Sequence, residues 1–305
     1  MNKEIVTILQ AINKAILGKP TQVKLALSCI LARGHLLIED LPGMGKTSLS
    51  KVMSKVLGLQ FQRVQFTSDL LPADIIGASI FNKEQGSFVF QQGPVFTEML
   101  LADEVNRATP KTQSALLEAM EEYQVTVDGD TRQLPTPFFV IATQNPTHQI
   151  GTYALPESQL DRFLMRISLG YPNVDVEKNL LAGHSGHGLV EATPTVIDKQ
   201  QLLHLQKLAS SVKVSDIIIE YILELITYTR ESGAVDHGLS PRGGLAVVNS
   251  AKSWAMIEGR SFVVPEDVQA VFEAVANHRL QAVEKVGSEH KTFASHALED
   301  VAVPV

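Results

Sequence analysis

Short, nearly unbroken apolar runs recur through the first two-thirds of the chain, at residues 36–39, 61–66, 99–102, 138–143 and 166–169. Runs of that length without a polar alternation are the pattern of strands buried on both faces. Between several of them lie segments with helical spacing, notably 48–56 and 112–123. Alternation of this kind predicts a parallel sheet with helices on both faces, an α/β core of five strands. From about Asn173 the strand pattern fades and amphipathic helical patterns take over, at 199–211, 215–231, 241–258 and 265–279. Pro241 and Pro265 stand where a first helical turn tolerates proline best. The pattern therefore predicts a core over 1–172, a connection over 173–198 and a small all-helical lid domain over 199–305. Within the connection, Gly183-His-Ser-Gly-His-Gly188 reads as a mobile link.

Two hairpins interrupt the core pattern. Residues 78–81 and 87–91 flank a polar turn at 82–86, and residues 124–127 and 131–134 flank Asp128-Gly129. Asp-Gly between two β-prone runs is a tight-turn signal. Insertions of this kind decorate a surface and often carry function.

Composition narrows the class. The chain has 305 residues, 45% hydrophobic and 19% charged, the balance of a globular protein. No apolar run reaches the length of a membrane span, and Met1-Asn-Lys-Glu-Ile lacks a signal-peptide apolar region. Cys29 is the single cysteine, so no intrachain disulfide forms, and its apolar neighbours mark it as core filling. These features point to a cytoplasmic protein. A net charge of −7 disfavours general affinity for nucleic acid, and Lys83 and Arg132 are the sole basic residues of the two hairpins. His184 and His187 stand in a glycine-rich stretch with no cysteine or acid nearby before Glu191, a poor ligand set for a metal. Trp254 lies in an apolar helical pattern and reads as core.

The chemistry concentrates in Asp40-Leu-Pro-Gly-Met-Gly-Lys-Thr47, between an apolar strand and a helical segment. Strand, glycine turn, Lys-Thr and helix is the layout of a phosphate-binding loop, whose backbone N–H groups cradle phosphates at the positive end of a helix. In that layout Lys46 reaches the β- and γ-phosphates and the Thr47 hydroxyl takes a place on Mg²⁺. The strict pattern has glycine where this chain has Asp40. Downstream, the 99–102 run ends in Asp103-Glu104. Asp103 can help hold Mg²⁺ through its water shell, and Glu104 can polarise an attacking water as general base. The 138–143 run ends in Gln144-Asn145-Pro146, where an amide beside the acids can position that water. Arg162, in Asp161-Arg-Phe-Leu-Met-Arg166, either pairs with Asp161 or Glu157 or serves a phosphate, and spacing does not choose between them.

Taken in order, these motifs resemble those of the MoxR-type AAA+ ATPases. The most specific stretch is Leu101-Ala-Asp-Glu-Val-Asn-Arg-Ala-Thr-Pro-Lys-Thr-Gln-Ser-Ala-Leu-Leu-Glu-Ala-Met120. Ala142-Thr-Gln-Asn-Pro146, Leu155-Pro-Glu-Ser-Gln-Leu-Asp-Arg-Phe163 and Ser240-Pro-Arg242 support it, and the likeness runs from Ile16-Leu-Gly-Lys19 to Val264-Pro-Glu-Asp267. The resemblance implies a nucleotide-contacting set of Gly18 on the adenine side, Pro42, Gly43, Met44, Gly45, Lys46, Thr47 and Ser48 in the Walker A loop, and Asp103 in Walker B. It implies Thr47 and Asp103 as the Mg²⁺ ligands, with Glu104, Asn145 and Lys46 catalytic. It puts Asn145 at sensor 1, Arg162 at the arginine finger acting on a neighbouring subunit's ATP, with Arg166 as the other candidate, and Arg242 at sensor 2 on the lid. The 78–91 and 124–134 hairpins resemble the helix-2 insert and the pre-sensor 1 hairpin of this branch. The activity implied by the resemblance is Mg²⁺-dependent ATP hydrolysis in a homo-oligomeric ring, a hexamer, with ATP between core and lid. Chaperone-like work on protein clients is implied too, often with a partner carrying a von Willebrand factor A domain. The alternative reading is an ATP-gated assembly scaffold with incidental hydrolysis.

Overall fold

The computed structural model describes residues 3–145, 151–181, 186–280 and 292–304. Two helices, α1 (Lys3–Ala15) and α2 (Pro20–Leu31), precede β1 (His35–Glu39) and α3 (Lys46–Val56). The chain continues through β2 (Phe61–Gln65), α4 (Pro72–Ile76) and a hairpin of β3 (Gly77–Asn82) and β4 (Ser87–Gln92). Then come β5 (Met99–Asp103), α5 (Pro110–Glu122), a second hairpin of β6 (Gln124–Val127) and β7 (Asp130–Gln133), β8 (Phe139–Gln144), α6 (Glu157–Leu160) and β9 (Phe163–Ile167). The rest is helical: α7 (Val174–Leu181), α8 (Gly186–Ala192), α9 (Lys199–Ser210), α10 (Asp216–Glu231), α11 (Pro241–Ile257), α12 (Pro265–Ala276) and α13 (Phe293–Asp300).

The expected five-stranded parallel sheet is present, in the order β2-β5-β8-β1-β9. Its central strands β1, β5 and β8 alternate between two apolar cores. Leu36, Ile38, Met99, Leu101 and Ile141 face one, while Leu37, Leu100, Ala102 and Val140 face the other. Burial on both faces is why these strands read as unbroken apolar runs. The first core continues without a break into the lid, through Leu205, Trp254 and Phe272, and it also holds Cys29. Lid and core are stitched by Gln206 donating to the Ile30 carbonyl at 2.8 Å and Ser28 donating to that of Ser250 at 3.1 Å.

Two expectations need correction. β2 is an edge strand with its residues half-buried or exposed, rather than a buried one, because β5 alone pairs with it. β9 begins at Phe163, ahead of the predicted 166, and alternates buried and half-buried positions as the other edge. The charges of Asp161 and Arg162 hid its start. The connection over 173–198 contains α7 and α8, and α8 packs on α1 and α3, while residues 183–185 of the expected mobile link lie outside the described residues. Past α8, the N–H groups of Val196 and Ile197 donate to the Val56 carbonyl at 2.9 and 3.2 Å. Val190 of α8 is partly buried against the first core. Among the described residues no helix is long and apolar enough to cross a membrane.

Candidate active site

β1 ends at Glu39 and the chain turns through residues 40–45 into α3. Gly43 and Gly45 have φ of 85° and 91°, and a Cβ on either would meet nothing within 4 Å. Backbone angle rather than crowding demands glycine there. Gly45 caps α3, so the unpaired N–H groups of its first turn face the loop. Asp40 is not among the positive-φ residues, and no glycine is needed at its position. Its Oδ2 accepts from the N–H groups of Leu169 and Gly170 at 2.6 and 2.7 Å and from the Ser168 hydroxyl at 3.1 Å. Oδ1 accepts from the Leu41 N–H at 3.0 Å. The acid that breaks the loop pattern thus ties the loop to the turn after β9. Lys19 grips the same turn through the Gly170 carbonyl at 3.0 Å, and Gly18, with φ of 73°, sits against Val176.

Lys46, buried at the first position of α3, donates to the Asp40 carbonyl at 2.6 Å and to Asn145 Oδ1 at 3.0 Å. Desolvation lowers its pKa below the usual lysine value, against the opposing pull of Asp40, Asp103, Glu104 and Glu39. The other end of the Asn145 amide donates to Glu104 Oε1 at 3.2 Å. One amide therefore spans the loop lysine and the proposed base. Parallel pairing of β5 with β8 matches Ala102 to Ala142, which sets Asp103 beside Thr143. The Thr143 hydroxyl donates to Asp103 Oδ1 at 2.6 Å and accepts from the Glu104 N–H at 2.9 Å. Glu104 has φ of 58°, a left-handed conformation that turns both acids toward the strand tips. Its Oε2 accepts from Gln65 at 3.0 Å and from Arg107 at 2.9 Å. Arg63 donates twice to Asp103 Oδ2, from Nε at 3.1 Å and Nη2 at 2.7 Å.

The arginines separate into two places. Arg162 pairs with Glu121 at 2.8 Å and donates to the Leu117 carbonyl, not to Asp161 or Glu157. Arg242 pairs with the same Glu121 at 3.1 Å and lies 3.9 Å from Asp161, which Arg279 also holds at 2.7 Å. This group surrounds the N-terminal ends of β1 and β9, beside Gly34 and His35. The loop is at the C-terminal end of β1, five residues away, or roughly 16 Å at about 3.3 Å per residue. Within one chain, Arg242, the expected sensor 2 on the lid, is therefore not brought over the loop. The start of α11 sits against Asp161, ahead of β9, and that anchors Arg242 at the N-terminal end of the sheet. Arg166 does lie at the loop's end: it pairs with Glu39 at 3.0 Å and donates to the Asn277 carbonyl at 3.2 Å. It therefore stands at the opposite end of the sheet from Arg162.

The site fits a nucleotide and a divalent ion. The loop's N–H cradle is open above both glycines, and the Thr47 hydroxyl makes no hydrogen bond among the described residues. Pro42 is exposed, and Met44 and Ser48 are half-buried along the cradle. A cleft of about 480 Å³ opens beside the loop, lined by Gln22, Glu39, Asp40, Leu41, Arg166 and Glu273. Sequence reasoning missed Thr143, Arg63, Gln65 and Arg107. Arg63 and Gln65 carried a signal, since polar residues two apart in a strand share a face. Pro146 and His184, and the side chain of His187, lie outside the described residues.

Residues 35–165 match the model of the ATPase family associated with various cellular activities (AAA), and residues 227–300 match that of the AAA lid domain. The uncharacterised protein YeaC of Bacillus subtilis is 42% identical over 297 residues, covering 96% of this chain and 93% of that protein. Chaperone MoxR1 of Mycobacterium tuberculosis is 38% identical over 282 residues, covering 88% of this chain and 73% of the relative. A crystal structure from Cytophaga hutchinsonii superimposes with a TM-score of 0.89 at 35% identity, covering 99% of this chain and 95% of that one.

Proposed function

The chain belongs to the MoxR family of AAA+ ATPases, and on that premise we propose that it hydrolyses ATP with Mg²⁺ in a homo-oligomeric ring whose work is done on protein clients. The observation that carries the reading is the Asn145 amide, set between Lys46 at 3.0 Å and Glu104 at 3.2 Å over the loop. Phosphoryl transfer is mainly positioning and charge neutralisation, so few reactive groups are required. The loop N–H groups and Lys46 bind the phosphates. Glu104 takes the proton of the attacking water at a carboxylate oxygen, and Asn145 fixes the line of attack. Mg²⁺, held by Thr47 and through water by Asp103, would neutralise charge on the β- and γ-phosphates.

Arg162 and Arg242 are the finger and sensor that a neighbouring copy's ATP would meet. Three guanidiniums, of Arg162, Arg242 and Arg279, share two carboxylates there, Glu121 and Asp161, which leaves positive charge for an incoming phosphate. The relative named a chaperone supports client remodelling, and a partner carrying a von Willebrand factor A domain is the class the family resemblance supplies. The test of the site is Glu104→Gln, which keeps the amide geometry and removes the base. ATP binding is expected to persist while turnover falls by at least about a hundredfold, the lower range for a general base. Turnover at the normal rate would remove Glu104 from the mechanism.

A further inference from the structure

Asp103 is confined on both oxygens. An ionised carboxylate offers about four lone-pair positions. Arg63 Nε and Nη2 occupy Oδ2 at 3.1 and 2.7 Å, and the Thr143 hydroxyl takes a position on Oδ1 at 2.6 Å. Arg63 is itself held in place, because its Nη2 also donates to Gln65 Oε1 at 3.1 Å. The pairing is built into the sheet: β2 runs parallel to β5 with Gln65 opposite Asp103, which brings Arg63 alongside the strand tip. Asp103 is buried, whereas the Arg63 side chain is 45% exposed at the sheet edge.

We propose that Arg63 is a positioning residue that closes Oδ2 of Asp103, so that a divalent ion engages this carboxylate through Oδ1 and water and is bound less tightly for the guanidinium's charge. The inference rests on the reading of Asp103 as the ion-holding carboxylate of an ATP site. Its consequence is ion preference. Mg²⁺ keeps several waters and takes few carboxylate oxygens directly, while Ca²⁺ accepts bidentate carboxylates in a larger, looser shell. Closing Oδ2 denies the bidentate mode and leaves the geometry that suits Mg²⁺.

The test is binding of a fluorescent ATP analogue by the full chain, titrated separately with Mg²⁺ and Ca²⁺, in wild type, Arg63→Gln, Arg63→Met and Arg63→Lys. A half-exposed edge position tolerates such changes, and matching thermal melts without ions establish that each variant is folded. Both neutral variants are expected to lower the Mg²⁺ midpoint roughly five- to tenfold, the scale of one unit charge acting on a divalent ion in a water-like medium. They should lower the Ca²⁺ midpoint further, so that the preference for Mg²⁺ narrows, while Arg63→Lys keeps a wild-type Mg²⁺ midpoint because it keeps the charge. Neutral variants with unchanged or raised midpoints, or a lysine variant that behaves like the neutral ones, would overturn the proposal. Wild type that binds the analogue at no ion concentration would instead remove the ATP-site reading beneath it.

Discussion

At the scale of single residues, Asp40 shows how a broken motif is compensated. The loop pattern has glycine at this position, but the backbone there is not left-handed, and the carboxylate serves three donors from the turn after β9. Restoring the pattern residue should therefore harm the protein. Asp40→Gly leaves the Leu169 and Gly170 N–H groups without their acceptor, at a cost of about 1–3 kcal/mol per buried unsatisfied group. Urea unfolding is expected to shift to lower concentration and nucleotide affinity to weaken. Wild-type stability with tighter nucleotide binding would contradict the anchoring role. The placement of Lys46, Asp103, Glu104 and Asn145 was legible in the sequence because each sits at a strand tip or helix start whose pattern is local. Thr143 was not, since its role as acceptor from Glu104 and donor to Asp103 depends on strands far apart in sequence.

Among the elements, His35 joins three of them. Its Nε2–H donates to the Met120 carbonyl at the end of α5, and its Nδ1 accepts from the Val140 N–H of β8 at 3.0 Å. Both ring nitrogens are thus satisfied in the neutral form, and burial lowers the pKa from 6.5 to about 4. His278 is displaced in the same direction by its own burial. Between pH 6.5 and 4 the unfolded chain binds protons that the folded one refuses, so stability is full above pH 6.5 and is lost on acidification toward pH 4. For His35 alone the displacement corresponds to about 3 kcal/mol. Chemical denaturation at pH 7 and 4.5 should show a smaller acid loss in His35→Gln than in wild type, and an equal loss would exclude His35 as a contributor. The central strands were legible because burial on both faces writes an unbroken apolar run. The edges β2 and β9 and the helix α8 were obscured, since an edge strand is half-polar and α8 is made stable by packing on α1 and α3 rather than by its own composition.

On the scale of the whole molecule, the parallel sheet has two chemical ends. Its C-terminal tips gather the loop, the acids and Asn145, and its N-terminal end gathers Arg162, Arg242 and Arg279 around Glu121 and Asp161. Charge separated in this way is incomplete in one chain and complementary between two, which is the physical basis for proposing a ring. The sequence could supply both sets of residues but not their opposite placement, because that depends on the start of α11 meeting Asp161 just ahead of β9. The central claim is best tested by steady-state Mg²⁺-ATPase turnover per chain as a function of protein concentration, for wild type and Arg162→Ala. Turnover should rise with concentration in wild type, and in the variant it should stay lower by roughly 10³-fold or more, the range of an arginine finger supplied in trans. Turnover that is flat with concentration and indifferent to Arg162 would contradict a site completed by a neighbouring copy.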